Sequence, residues 1–499
     1  MMQKQVQSLM GLLLLLLLAG TVRLVPIFPT YFPFQYDHAK DALAMHWMIQ
    51  EKNPVLTGAI TSIDGVFNGP AYYYLASPVF VLLRWHPIAG PIFVSIVVFF
   101  LIWYAWKTRF RFEAVLFATS AGIIGSQQSA WTPYMTPLLV FPLLILLTKS
   151  QKITVIKSVA IGILSGLLFH TQSAFGVPFF VSLIFVAILF FRKSMNIKAV
   201  IGFLSSFAST WIPFFLFELK HGWIQTQNIL KFIATYNESA KVLSQNNQSI
   251  TGRILEVGSF AFEKIGASIS PLHQHWILLG IVFFSFSFVV SIIKRDRILL
   301  LLQTLLIGMV LIYLVFPCKS YYLIGAMPIS IFIFARSIRI VCRKCIFFIS
   351  TILIFLSLIQ VPFSYITYRQ MSEQSTALLD SKLKAAQFIY EYAHNTPFDS
   401  IHFVPEQYDY TYQYLYEYLA ENGLQMPSTY TYNWNDRAYN PWKKEEIKMR
   451  EELVFTIIED ITNPRIQAWT NEMQQNTRII GRYQISDSIM VVVSAHETQ

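Results

Sequence analysis

Apolar runs long enough to cross a bilayer recur through the first three quarters of the chain, with short polar breaks between them. The first, residues 9–28, is a leucine run that continues from Val22 to Phe28 past Arg23. It reads as a retained span rather than a cleaved leader. Later runs lie at 87–106, 112–128, 131–148, 155–171, 174–191, 199–218, 275–293, 298–316, 321–337 and 345–366. With the first they predict about eleven transmembrane helices. Two shorter helices are predicted between the first two runs. In 37–51, Ala39, Ala42, Leu43, His46 and Trp47 fall at helical spacing, and Asn53-Pro54 stops the element. Residues 70–84 start at Pro70 and are too short to span easily. They are expected to lie in the interface, rimmed by Tyr72, Tyr73 and Tyr74.

The polar breaks set an orientation. Lys107/Arg109/Arg111, Lys149/Lys152/Lys157, Arg192/Lys193/Lys198, Lys294/Arg295/Arg297 and Arg336/Arg339/Arg343/Lys344 all fall on one side. Positive residues mark the cytoplasmic side. The outer side then receives Asp37, Gln127, Gln128, His170, the loop 219–274, Lys319 and everything after 367. The loop 219–274 is polar, with Asn237, Gln245, Asn246, Asn247 and Gln248, and has room for one or two short helices. Residues 370–499 are tyrosine-rich and charged. They read as helices at 381–394 and 412–422 and strands at 400–405, 452–458 and 489–493. The expected organisation is a mainly α, multi-spanning membrane domain over 1–369, with outer loops at 29–86 and 219–274. A small α/β extracytoplasmic domain follows over 370–499.

Composition agrees with the pattern. Of 499 residues, 54% are hydrophobic and 13% charged, against about 25% charged in an ordinary soluble domain. The net charge of +10 does not point to nucleic acid, because the cations sit between apolar runs. Cys318, Cys342 and Cys345 are read as free thiols, since C-R-K-C lacks a second pair. There is no P-loop, Rossmann glycine pattern or H-E-x-x-H. A transferase built this way draws on a lipid-linked sugar donor as its substrate.

The chemistry-bearing residues gather at outer ends of the spans. Asp37 either caps the helix that follows or serves as a general base. Asp41, one turn on, either orients a sugar, holds a divalent cation, or pairs with Lys40. His170 and Gln172 close a span in L-L-F-H-T-Q. Glu218, Lys220 and His221 end another in F-E-L-K-H-G-W, as a helix-end ion pair or a binding group. Lys319, ahead of Tyr321, either snorkels or binds a lipid phosphate.

The stretches Y-D-H-A-K-D-A, residues 36–42, and N-G-P-A-Y-Y-Y-L, residues 68–75, resemble a known first outer loop. It is that of the bacterial relatives of protein O-mannosyltransferases. These are glycosyltransferase family 39-like enzymes of the GT-C class, with aminoarabinose transferases as cousins. F-E-L-K-H-G-W resembles a recurrent stretch in the same enzymes, and the layout likeness covers roughly residues 8–370. The resemblance implies a GT-C fold, a polyprenyl-phosphate sugar donor and inverting transfer on the outer face. It also implies that Asp37 is the base. Where the family usually has Asp-Glu, this chain has Asp37-His38; where it has His-Gly-Pro, this chain has Asn68-Gly69-Pro70. His38, Lys40, Asn68, Tyr72 and Tyr73 join the candidate donor-binding set. The acceptor is an unidentified glycan, lipid or protein hydroxyl. Rival readings are a transporter or flippase of a polyprenyl-linked solute, and a catalytically inactive envelope assembly protein.

Overall fold

The computed structural model of the chain describes residues 2–149, 153–192, 196–235, 250–272, 274–404, 409–430, 451–462, 466 and 477–496. Lys152, Lys193, Asn237, Gln245, Asn246, Asn247, Gln248 and Pro405 lie outside the described residues. The protein is a mainly helical, multi-pass membrane protein. Seven described helices have the length and apolarity to cross a bilayer: Gln5–Ile27, Ala89–Lys107, Thr132–Lys149, Ser173–Phe191, Trp276–Lys294, Arg297–Val315 and Cys345–Gln374. An eighth candidate, Ile197–Thr210 with Ile212–Lys220, bends by 47° between its halves. Pro213, in the first turn of the second half, fits a helix start better than a helix interior. The shorter apolar helix Val155–Thr171 coincides with a predicted run. The predicted run 112–128 is divided into Arg111–Thr119 and Ala121–Gln127 by Ser120, whose hydroxyl caps the second piece at Ile123 N. The run 321–337 becomes a short turn and the helix Ala326–Val341. The loop 219–274 holds more helix than expected: Ile224–Ala234 and the twenty-residue Ile250–Ile269.

The chain divides into two compact units. The first comprises Met1–Arg23, Val55–Leu75 and Phe93–Val361. Its helices approach closely at small residues, as lipid-embedded bundles do. Val155–Thr171 packs on Ile197–Thr210, and a Cβ on Gly162 or Gly166 would lie 2.1 Å from Ser206 Oγ or 2.0 Å from Thr210 Oγ1. Cys342 and Cys345 are joined as a disulfide, which corrects the free-thiol reading for this pair. The turn between the helices ending at Val341 and starting at Cys345 brings their Cα atoms within bridging distance, 5.4 Å. Cys318 is free and buried, and burial pushes its thiol up to about 12.

The second unit comprises Leu24–Pro54, Ala76–Ile92 and Pro362–Gln499. It holds a four-stranded sheet: β1 (Phe398–Phe403), β2 (Leu453–Glu459), β3 (Thr477–Ser486) and β4 (Ile489–His496), in the order β1-β2-β4-β3. β1 runs parallel to β2, and the other two pairings are antiparallel. Val454, Ile457, Val491 and Val493 are buried in it. Helices Leu379–Ala393 and Tyr410–Glu421 complete the layer. β3 escapes the sequence pattern because Arg478, Gly481 and Arg482 break its apolar alternation; it is an edge strand.

The segment between the first two spans belongs in part to this unit. Phe34 N donates to Ala377 O at 3.0 Å, and Leu379 N and Asp380 N donate to Phe32 O and Thr30 O at 3.0 and 3.1 Å. Helix Tyr36–Gln50 lies on helix Tyr410–Glu421, with Trp47 Nε1 3.4 Å from Glu417 Oε1. Its predicted inner positions are buried, but so are Asp41, Ala44, Met45 and Met48. A helix enclosed on this many sides is a packed element rather than one floating in the interface.

Candidate functional site

Asp37 stands in the first turn of helix Tyr36–Gln50. The helix is opened by a capping box: Gln35 accepts from the His38 backbone, and His38 Nδ1 accepts from Gln35 N at 3.1 Å. His38 thereby does what a glutamate does at the same position of the usual box. This gives a structural role to the residue that departs from the family's Asp-Glu. Burial lowers the His38 pKa to about 4, against a smaller raising effect of Asp37, and Lys382 adds to the lowering. The ring is neutral at pH 7. With Nδ1 accepting, Nε2 carries the proton; Nε2 is enclosed and has no hydrogen-bond partner among the described residues.

The Asp37 carboxylate is partly open, with 25% of its side chain exposed, and Lys40 Nζ donates to its Oδ1 at 3.1 Å. One carboxylate oxygen therefore keeps a fixed cation while the group stays accessible to solvent. Asp41 is only 2% exposed, so it does not share that access. Among the described residues no three His, Cys, Asp or Glu side chains gather in a metal-holding group.

In the helical unit, five of the predicted residues meet around the loop 58–71. Asn68 Oδ1 accepts from Ser173 N at 3.0 Å and Ser173 Oγ at 2.9 Å. His170 Nδ1 accepts from Ala71 N at 3.3 Å, and its Nε2 lies 2.8 Å from Thr210 O, which fixes the tautomer. Both residues are tied into the fold. A Cβ on Gly69 would strike the His170 ring at 2.2 Å, so the loop seats directly on it. Gln172 Nε2 donates to Tyr321 O at 3.2 Å, and the Tyr321 ring packs on Trp131. Glu218 Oε1 accepts from Thr226 N at 3.1 Å, near the Phe67–Phe217 ring contact. Gln172 Oε1 and Glu218 Oε2 are buried and accept no hydrogen bond among the described residues. These atoms suit a donor such as a hydroxyl or an ammonium.

The other predicted residues are placed differently. Tyr72 and Tyr73 are 5% and 4% exposed, so they do not rim an interface helix. Tyr72 Oη finds a partner in Ala130 O at 2.9 Å, which lets the ring bury. Only Tyr74 of the three stays open. Lys220 and Lys319 are exposed, and His221 stacks on Phe217 with Nδ1 2.9 Å from Phe217 O.

Two polar features were not foreseen. Arg23, 1% exposed, donates from Nε to Gln127 Oε1 at 2.7 Å, from Nη1 to Ala118 O at 3.0 Å, and from Nη2 to Phe117 O at 3.1 Å. It closes the C-terminal carbonyls of helix Arg111–Thr119. The sequence signal for it is a cation inside an apolar run. In the sheet unit, Ser400 Oγ lies 3.1 Å from His402 Nε2, whose Nδ1 is 2.7 Å from Asp409 Oδ2. Ser400 is fully buried and its hydroxyl also bonds Tyr416 Oη at 2.7 Å. A nucleophile needs access, so this triad is a core network.

No protein-family model and no curated protein sequence matches the chain. Among the solved structures that share its fold are two of one protein. One is ArnT from Cupriavidus metallidurans bound to undecaprenyl phosphate, with a TM-score of 0.60 at 11% identity over 96% of this chain and 97% of that one. The other is the same protein in the apo state, with a TM-score of 0.61 at 10% identity and the same coverage. The chain has the fold of ArnT.

Proposed function

We propose that the protein is a membrane glycosyltransferase. It moves a sugar from a polyprenyl-phosphate carrier to an acceptor hydroxyl on the outer face, with inversion and with Asp37 as general base. The observation that carries this reading is Asp37 itself: a reachable carboxylate at the head of a packed helix just after the first span, with Lys40 on one oxygen. Support comes from the fold shared along nearly the whole chain with a protein solved on undecaprenyl phosphate.

The chemistry is a single displacement. The acceptor oxygen bonds to the anomeric carbon as the bond from that carbon to the phosphate oxygen breaks. Polyprenyl phosphate leaves with the electron pair. Asp37 takes the acceptor proton, which a carboxylate does well only within hydrogen-bond reach. A cation beside the leaving phosphate lowers the barrier, and Lys40, on the same helix as Asp37, is a candidate. The neutral His38 ring and its cap hold the first turn, and with it the Asp37 backbone. No step in this scheme runs through a metal ion. About eleven spans, with 370–499 on the outer side, belong to the same proposal.

Transport is the competing reading. Transporters place binding groups near mid-membrane at broken helices. Here His170 and Glu218 sit at helix ends and Asp37 lies beyond the first span. The purified protein in liposomes, given polyprenyl-phosphate sugar labelled in the sugar, separates the two. Transfer of label with release of polyprenyl phosphate supports transfer. Passage of label across the bilayer with the donor intact overturns it.

A further inference from the structure

The helical unit has a half-open cavity of about 350 Å³ at the helix ends that carry Lys149 and Arg297. This is within the range of small-ligand pockets. Its walls come from the turn 108–110, the head of helix Arg111–Thr119, the end of Thr132–Lys149, the start of Arg297–Val315 and the last turns of Ala326–Val341. Four cations line it: Arg109, Lys149, Arg336 and Arg339.

Two of these are already matched. Arg339 forks onto the buried Glu113 carboxylate, and Arg336 onto Asp296, with Nε–Oδ1 and Nη2–Oδ2 distances of 3.0 and 2.5 Å. Asp296 in turn caps Leu299 N at 2.9 Å. These forked pairs make a rigid wall with no net charge. Arg109 and Lys149 have no ion pair among the described residues. The floor beneath them is apolar, with Leu302 and Phe332 buried and Phe110 against Phe332. Two uncompensated cations over an apolar floor, at the level where spans end, suit an anionic head on a greasy body.

We propose that this cavity binds a phosphate ester, with the phosphate on Arg109 and Lys149 and the adjoining carbon chain on Phe110, Leu302 and Phe332. The inference requires only that the chain lies in a membrane; it stands or falls apart from the transferase reading. Two sources share this chemistry, an anionic phospholipid and a soluble phosphate monoester.

The test uses the full chain in phosphatidylcholine nanodiscs, titrated with phosphatidylglycerol or with glycerol 3-phosphate, bound ligand being counted by native mass spectrometry. Arg109→Gln/Lys149→Gln removes two exposed, unpaired cations and leaves both forked pairs. It is expected to weaken binding roughly 10- to 30-fold. Lys107→Gln, at the same end but outside the cavity, is expected to leave it unchanged. Saturable binding of phosphatidylglycerol alone assigns the site to a lipid head group; equal binding of glycerol 3-phosphate assigns it to a soluble ester. Unchanged affinity in the double variant, or an equal loss in Lys107→Gln, overturns the proposal. If the double variant unfolds, Lys149→Gln alone is read in the same way.

Discussion

His38 offers a sharp physical test of the segment that follows the first span, because its ring is both a cap and an enclosed base. Its folded pKa is lowered to about 4 from 6.5, chiefly by burial. Between those values the unfolded chain binds more protons than the folded one, so stability rises with pH across the window. The contribution is complete above about pH 6.5 and is lost as pH falls towards 4. That displacement is worth roughly 3 kcal/mol between its two ends. His38→Gln keeps an acceptor at the N3 position of the capping box and has nothing to titrate there. His38→Ala keeps neither and is expected to cost about 1 kcal/mol at pH 7. The assay is thermal unfolding of the detergent-purified protein, followed by intrinsic fluorescence at pH values from about 7 to about 5. Other groups titrate in both proteins, so the difference between wild type and His38→Gln is the quantity that counts. It is expected to shift steadily in favour of the glutamine variant as pH falls. A difference that stays flat refutes the enclosed, neutral ring.

Three further outcomes follow from the helical unit. Arg23→Met leaves the carbonyls of Phe117 and Ala118 without this donor in an apolar surround, at about 1–3 kcal/mol each. Its thermal midpoint is expected to fall by several degrees, with Arg23→Lys between it and wild type; a midpoint equal to wild type removes the capping role. Gly166→Ala sets a methyl group against Thr210 Oγ1, expected to cost about 1–3 kcal/mol. Thr210→Ala in the same chain is expected to return part of that loss, a coupling that a double-mutant cycle reads directly. Glu218→Gln replaces a buried carboxylate that has one oxygen unpartnered. If that oxygen meets a donor group of the substrate, KM for the lipid-linked sugar is expected to rise at little cost in thermal midpoint.

The spans were readable because lipid imposes length and apolarity on each helix, and those are sums over many residues. Helices Val155–Thr171 and Arg297–Val315 and strands β1, β2 and β4 fall within a few residues of their predicted places. What escaped depends on single partners far apart in the chain. Nothing local tells that Phe32 and Phe34 pair with Ala377 and Leu379, or that Trp47 meets Glu417. Tyr72 and Tyr73 looked like interface tyrosines because composition does not reveal that Ala130 O awaits a hydroxyl. Cys342 and Cys345 looked free because an outward count of cysteines ignores the turn between two helices. Of the candidate site, Asp37 was legible from its place just after the first apolar run, but its ion pair was not: Lys40 was assigned to Asp41, and it donates to Asp37, three residues back. The role of His38 was not, since a histidine in a capping box is a geometric substitution for glutamate.

The central claim rests on the proton that Asp37 is proposed to accept. The most direct measurement is single-turnover release of polyprenyl phosphate from a lipid-linked sugar donor by Asp37→Asn, beside wild type at matched folding and donor occupancy. Loss of a general base typically costs about 10²- to 10⁴-fold, and a fall of that size with donor binding intact is the predicted result. Turnover by Asp37→Asn at the wild-type rate contradicts the account.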